Sequence, residues 1–384
     1  MEEKILHSSF FPEFVFMHRG AAVRSVGALT RVHEAEAVEV ARQRGTAVVG
    51  LVPFDPAQEP VLWVPEGLAP ADRGGSGSGF SSSGKDHVLP ALRRIRGLDN
   101  PSYRTAVGQA VDRMNHGELE KVVLARLLEA EFEQPLNPAY LLDNLLVQQP
   151  RAFVFSVKLP ESNGYLMGAS PELVFRSESG SFTTHPLAGT KARAAVPGST
   201  DDAQLGEELI RSPKDRAEHA TVVEDIRRRL EPLAQSMNVP ATPSLLATPQ
   251  LWHLGTKITG RLQPGVSSLD GARAIHPTPA ICGSPTEKAL ELINQLEGFD
   301  RKFFGGLVGW MDAEGNGEWA LALRCAEISE QYATLFAGAG IVRASVPAFE
   351  HAETGSKFGS FAQVLGLDLS SLAAAECAVS ASQR

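Results

Sequence analysis

Three charged residues follow Pro347 at spacings that could do chemistry: Glu350, Glu353 and Lys357. If the segment is helical they stand at i, i+3 and i+7, and at about 100° per residue they share an arc of roughly 60°. Two carboxylates and an ammonium on one face suit a hard cation that holds an anionic ligand. The same spacing also describes an ordinary i,i+4 Glu–Lys pair on an exposed helix, and Gly355 weakens the helical pattern. Just upstream, the apolar run 336–341 breaks on Gly338 and Gly340. Glycine there lets backbone N–H groups come close to a ligand.

Other candidates are scattered along the chain. Lys121 stands at the entrance of an apolar segment, 122–128, that reads as a strand. A lysine set against apolar surface gives up its proton readily and can act as a base, whereas a solvated strand-end lysine does neither. Glu172 lies between Pro171 and the apolar triplet Leu173, Val174, Phe175. Desolvation there would raise its pKa and let it hold a proton to donate; the alternative is a strand-edge glutamate in water. Glu218 borders the apolar stripe Ala217, Ala220, Val223, Ile226 and Leu230 of a helix opened by Ser212-Pro213-Lys214-Asp215. It reads either as a metal ligand facing a cleft or as a boundary residue paired with Arg211 or Arg216. Arg324, flanked by apolar residues, needs an anion from the protein or from a substrate. His253 is a lone histidine in a short strand, 251–256, and Gly189 sits in what reads as a tight Ala-Gly-Thr turn closing the strand-like stretch 182–191.

These residues must be positioned by alternating strands and capped helices. Strands are expected at 46–53, 61–64, 152–159 and 165–169, and a hairpin around 312–317. Helices are expected at 32–44, 102–115 and 137–149, and from a second capping pattern at Ser284 through Leu296. The Gly/Ser-rich stretch 73–85 reads as a loop; it falls one position short of a phosphate-binding GxxxxGK-Ser/Thr motif because Asp86 stands last. With 384 residues, 43% hydrophobic and 21% charged, the chain can bury a substantial core. A formal charge of −9 argues against a nucleic-acid coat and requires that any bound anion be met by locally concentrated positive charge. Cys282, Cys325 and Cys377 form no CxxC pair, the pattern of reduced thiols in the cytoplasm. No signal peptide and no apolar run of membrane-spanning length is expected.

In order, the segments KVVLAR, SPEL, PLAGT, SPKDRAEH, LWHL, HPTPAICG, FGGLVGW, GEWALALRC, FAGAGI and ETGSK resemble the chorismate-utilising enzymes. That group includes isochorismate synthases, salicylate synthases and the large subunits of anthranilate and aminodeoxychorismate synthases. Ten short motifs in the same order, over about residues 100–365, are far more specific than any one of them. Within the family the likeness is to isochorismate synthases of the dihydroxybenzoate (siderophore) type. The motif HPTPA followed by Ile carries this, since relatives that eliminate pyruvate tend to have Thr at the position of Ala280; Thr190, in AGT where several isochorismate synthases have AGS, is a departure.

The resemblance implies an α+β fold, a large antiparallel-rich β-sheet assembly surrounded by helices as in the anthranilate synthase large subunit, forming a single catalytic domain over 1–384. It implies Mg²⁺-dependent conversion of chorismate to isochorismate, with Lys121 as the water-activating base and Glu172 as the general acid. Mg²⁺ would sit between Glu218 and Glu353, with Glu350 supporting it. Arg324, Lys357 and the backbone near Gly338 would hold the enolpyruvyl carboxylate; Gly189 would line the ring carboxylate, His253 the C4 hydroxyl, and Ala280 the substrate pocket. A cytoplasmic monomer without an obligatory glutaminase subunit is expected. Three alternatives stand beside this reading: a salicylate synthase using the same site, an isochorismate synthase of the menaquinone pathway, and a noncatalytic anion- or Mg²⁺-binding protein on the same scaffold.

Overall fold

The computed structural model of the chain describes residues 11–18, 21–70, 88–160, 162–194, 196–247 and 251–374. The Gly/Ser-rich stretch 73–85 lies outside them.

Strands alternate between two buried faces, and this sets the layering. In Phe153–Lys158, Phe153, Phe155 and Val157 enter one apolar core while Val154 enters another. Phe14 and Phe16 part from Val15 and Met17 in the same way. Such strands read as continuous apolar runs because neither face meets water. The aromatic-rich core, with Phe14, Phe16, Phe153, Phe155, Phe304 and Phe336, lies between sheet layers. The other two cores lie between sheet and helices: one takes buried side chains from the helices Glu34–Arg44, Pro101–Asn115, Pro213–Leu230 and Thr286–Leu296, the other from Pro138–Gln148 and Pro347–Ala362.

Seventeen strands join in one sheet, and every recorded pairing is antiparallel. Lys121–Phe132, a 12-residue strand next to one end of the sheet, pairs with Tyr332–Ile341 over ten residues, from Glu131 opposite Tyr332 to Val122 opposite Ile341. The two-residue strand Gly283–Ser284 closes on the start of Lys121–Phe132, with Ser284 opposite Lys121. Three further strands, Leu187–Ala192, Leu251–Gly255 and Ser244–Ala247, make a separate small sheet. No helix among the described residues is long and apolar enough to cross a membrane.

Several local expectations change on folding. The stretch 182–191 is two strands in two sheets, Ser181–Thr184 and Leu187–Ala192. Ala-Gly-Thr is a bulge within the second strand, not a turn, with Gly189 at φ +82° where the register with Leu251–Gly255 shifts. Gly338 and Gly340 do not break their strand, because both stay paired, opposite Ala125 and Val123. The 32–44 helix starts at Glu34, Val32 ending the preceding strand. Ser284 does not cap its helix; it is spent in the sheet, and Pro285 holds the N-cap position without a side-chain bond. On Pro213–Leu230 the buried stripe is His219, Val222, Ile226 and Leu230, while Ala217 and Ala220 are exposed. The Ser212 cap forms as expected, accepting from the Asp215 N–H.

Candidate active site

Lys121, first residue of its strand, extends over Gly340 on the neighbouring strand: a Cβ on Gly340 would come within 3.1 Å of Lys121 Cε and 3.7 Å of Nζ. Lys121 Nζ donates to Glu218 Oε1 at 2.8 Å. Glu218 is delivered by the helix Pro213–Leu230, which docks on the Leu187–Ala192 bulge. Here the buried His219 bonds through Nδ1 to the Ala188 carbonyl (3.1 Å) and through Nε2 to Thr256 Oγ1 (2.7 Å). Gly189 packs tightly under the same helix, and an added Cβ would sit 3.3 Å from Asp215 Cβ and from Leu254 Cδ1.

Glu172 leaves the strand Tyr165–Ser170 through a short turn in which its N–H donates to Ser170 Oγ (3.2 Å). Its carbonyl accepts from the Leu321 N–H at 3.1 Å, and the Arg324 carbonyl accepts from the Ala169 N–H at 3.3 Å. These two backbone bonds lay the acid and Arg324 along adjacent segments. Burial raises the Glu172 pKa from the ordinary 4.5 to about 7, with the charge of Lys121 pulling the other way. The residue as a whole is half-buried. Lys121 is near enough to act on it electrostatically.

Arg324 adopts φ +50°, the left-handed region that costs a non-glycine residue energy. Burial lowers its pKa, and Glu353 is the charge that offsets this. Among the described residues it has no ion pair at contact distance; one guanidinium N–H reaches the Lys357 carbonyl at 3.4 Å. Lys357 is delivered by Pro347–Ala362, which is helical through Gly355, and Nζ donates to the Gly338 carbonyl (2.7 Å) and to Glu353 Oε1 (2.7 Å). Burial depresses the Lys357 pKa as well. His253 is held near 4 by burial and by the charges of Arg324 and Lys357, so it is neutral at ordinary pH. Its Nδ1 meets Thr190 Oγ1 at 3.0 Å. Ala280 sits in the turn after Pro279, where the following Ile281 carbonyl accepts from Arg301 (3.4 Å).

Two clusters are thus in place: Lys121 with Glu218 and Glu172, and Arg324 with Lys357, Glu353, Glu350 and His253. Each carboxylate of the expected metal pair is engaged by a lysine, Glu218 by Lys121 and Glu353 by Lys357. No group of three or more His, Cys, Asp or Glu among the described residues forms a ready-made cage for an ion. The donor chemistry nonetheless fits Mg²⁺. Glu350 is pushed up in pKa by burial and by the neighbouring Glu353 carboxylate, a repulsion that a divalent cation would relieve. Mg²⁺ commonly takes only one or two protein carboxylates and keeps its other positions for water and ligand oxygens.

Sequence reasoning passed over the residues that hold these groups in place. Arg126, 3% exposed, bonds Thr354 Oγ1 (2.8 Å) and the Gly97 (2.5 Å) and His351 (3.3 Å) carbonyls, tying the Lys121 strand to the helix that bears Glu350, Glu353 and Lys357. The guanidinium lies against the Phe358 ring, 4.9 Å from its centroid. Arg301 and Glu297 form a buried ion pair that also holds the Val123 carbonyl (2.6 Å) and the Ala125 N–H (2.6 Å). Arginine in the apolar run KVVLAR was the available signal for the first; the i,i+4 spacing of Glu297 and Arg301 was the signal for the second.

A large antiparallel α+β frame that sets a near-neutral carboxylic acid beside an amine and gathers two further buried cations suits an enzyme for a small anionic substrate. The chain belongs to the chorismate-binding enzyme family, whose pattern it matches over residues 80–366. It is 37% identical to the isochorismate synthase EntC of Escherichia coli K12, over 84% of this chain and 82% of that one. The structure of a Bacillus anthracis protein described as a 2,3-dihydroxybenzoate-specific isochorismate synthase, DhbC, superposes with a TM-score of 0.81 at 35% identity, covering 93% of this chain and 97% of that one. The menaquinone-specific isochorismate synthase MenF of Escherichia coli superposes with a TM-score of 0.80 at 26% identity, covering 92% and 89%.

Proposed function

We propose that the protein is an isochorismate synthase that converts chorismate to isochorismate in the cytoplasm for 2,3-dihydroxybenzoate (siderophore) formation. The observation that carries this is Glu172: a buried acid with pKa about 7, within the field of the Lys121 amine. Water must add at C2 of the ring while the C4 hydroxyl leaves and the double bonds shift. An amine that accepts the proton of the attacking water and an acid that protonates the departing hydroxyl meet that demand. Lys121 serves as the base and Glu172 as the acid. One proton is taken and one given, so the reaction is a net isomerisation.

Arg324 and Lys357 hold the enolpyruvyl carboxylate beside Gly338, and their desolvation strengthens that grip. Neutral His253, with Nδ1 occupied by Thr190, offers Nε2 to the C4 hydroxyl. Glu218 and Glu353, with Glu350 beside them, would hold Mg²⁺, which would draw both carboxylates away from their lysine partners. The ion supplies charge neutralisation for the ring carboxylate. The dihydroxybenzoate assignment is supported by likeness to the DhbC relative and by Ala280.

The test is incubation with chorismate and Mg²⁺ followed by chromatographic identification of the product. Isochorismate without pyruvate is expected; pyruvate release would indicate the salicylate-forming reaction, and binding without consumption would leave only an anion-binding protein.

A further inference from the structure

The chain carries a formal charge of −9, yet the substrate proposed above is a dianion. The cations near the cleft differ in how they are used. Lys191, Arg193, Arg211 and Arg227 are each paired with an acid. Lys214 and Arg343 are exposed, and among the described residues neither side chain has a hydrogen-bonding or ion-pair partner. Both line a cavity of about 270 Å³, together with Glu120, Val342 and Ala344.

That cavity adjoins the catalytic groups. Glu120 precedes Lys121; Arg343 follows Gly340, over which Lys121 lies, by three residues. Lys214 is one helical turn before Glu218, so the two share a face of Pro213–Leu230, and the positive end of that helix lies at the same place. We infer that Lys214 and Arg343 form an outer docking site for the dianionic substrate, drawing it to the mouth of the cleft against the repulsion of the whole protein. The glutamate on the same rim, Glu120, opposes them and leaves the site with one net positive charge.

The magnitude follows from distance and screening. At a separation on the order of 10 Å in water, with a Debye length of about 8 Å at 0.15 M salt and about 30 Å at 0.01 M, removing both charges lowers the association rate of a dianion about 2-fold at the higher salt and about 8-fold at the lower. Neutral surfaces have no such salt dependence.

This inference rests on the functional reading above, and its test is arranged to separate the two. Chorismate association is followed by stopped-flow tryptophan fluorescence in Glu172→Gln protein, which does not need turnover, at 0.01 M and 0.15 M salt. Adding Lys214→Gln and Arg343→Gln is expected to flatten the salt dependence about 4-fold, and Glu120→Gln to speed association at low salt. Arg216 is an exposed cation on the opposite side of the same helix, and Arg216→Gln serves as the control for net charge alone. Unchanged salt dependence in the double variant, or an equal change from Arg216→Gln, overturns the docking site. Salt-dependent binding of chorismate by wild-type protein that never consumes it overturns the catalytic reading and leaves the docking site standing.

Discussion

Replacing Glu172 by Gln is expected to inactivate the protein and at the same time to stabilise it, in a pH window that the raised pKa defines. The folded-state value of about 7 lies above the ordinary 4.5 because burial penalises the charged form. Between these values the folded protein binds more protons than the unfolded chain, so Glu172 makes stability fall as pH rises through the window. At about 1.4 kcal/mol per pH unit, the full cost is about 3 kcal/mol at pH 8 and about 1 kcal/mol at pH 5. Gln carries no charge and escapes this cost. The stability difference between variant and wild type should therefore grow by roughly 2 kcal/mol from pH 5 to pH 8. For 384 residues unfolding with about 2 cal/mol/K each, 3 kcal/mol corresponds to about 4 °C in Tm. Paired thermal melts across pH measure it, since the contributions of all other groups cancel in the difference. A difference that does not vary with pH would refute the desolvated-acid account of Glu172 and with it the proposed donor.

Other expectations follow from the same geometry. Turnover should fall on the alkaline side of about pH 7 as Glu172 loses its proton, read as kcat/KM against pH; a profile flat to pH 9 would exclude it as the donor. Lys121→Ala should lower kcat by at least about 10³-fold with an unchanged circular dichroism spectrum. Gly340→Ala, which would press a methyl group to 3.1 Å from Lys121 Cε, should lower kcat about 10-fold at nearly constant stability, and full activity would show that the amine need not lie there. Arg301→Met would leave the buried Glu297 unpaired and should cost about 3–5 kcal/mol in denaturant unfolding. Chelation should abolish turnover, Mg²⁺ should restore it and raise the Tm, and Glu353→Gln should weaken both effects.

Much of this protein is legible in the order of its residues. Strand and helix positions follow from apolar alternation and from caps such as Ser212-Pro213, because both are local interactions. Candidate polar residues could be named individually, and the ten motifs in order tied the chain to one family. Conversely, an apparent cap at Ser284 misled, because pairing with Lys121 across the sheet outweighed a local bond to its own helix. The Ala-Gly-Thr segment read as a turn, but edge pairing with Leu251–Gly255 kept it extended and confined its irregularity to a bulge.

Only the folded chain decided which charges meet. Lys121 and Glu218 are 97 positions apart, Arg126 and Thr354 228, and Thr190 and His253 63. No periodicity reports contacts across such separations. The raised acid and the depressed histidine likewise arise from desolvation by atoms that distant segments supply. Residue type determines what a side chain can do, while burial and its neighbours determine which protonation state it holds, and those belong to the tertiary structure.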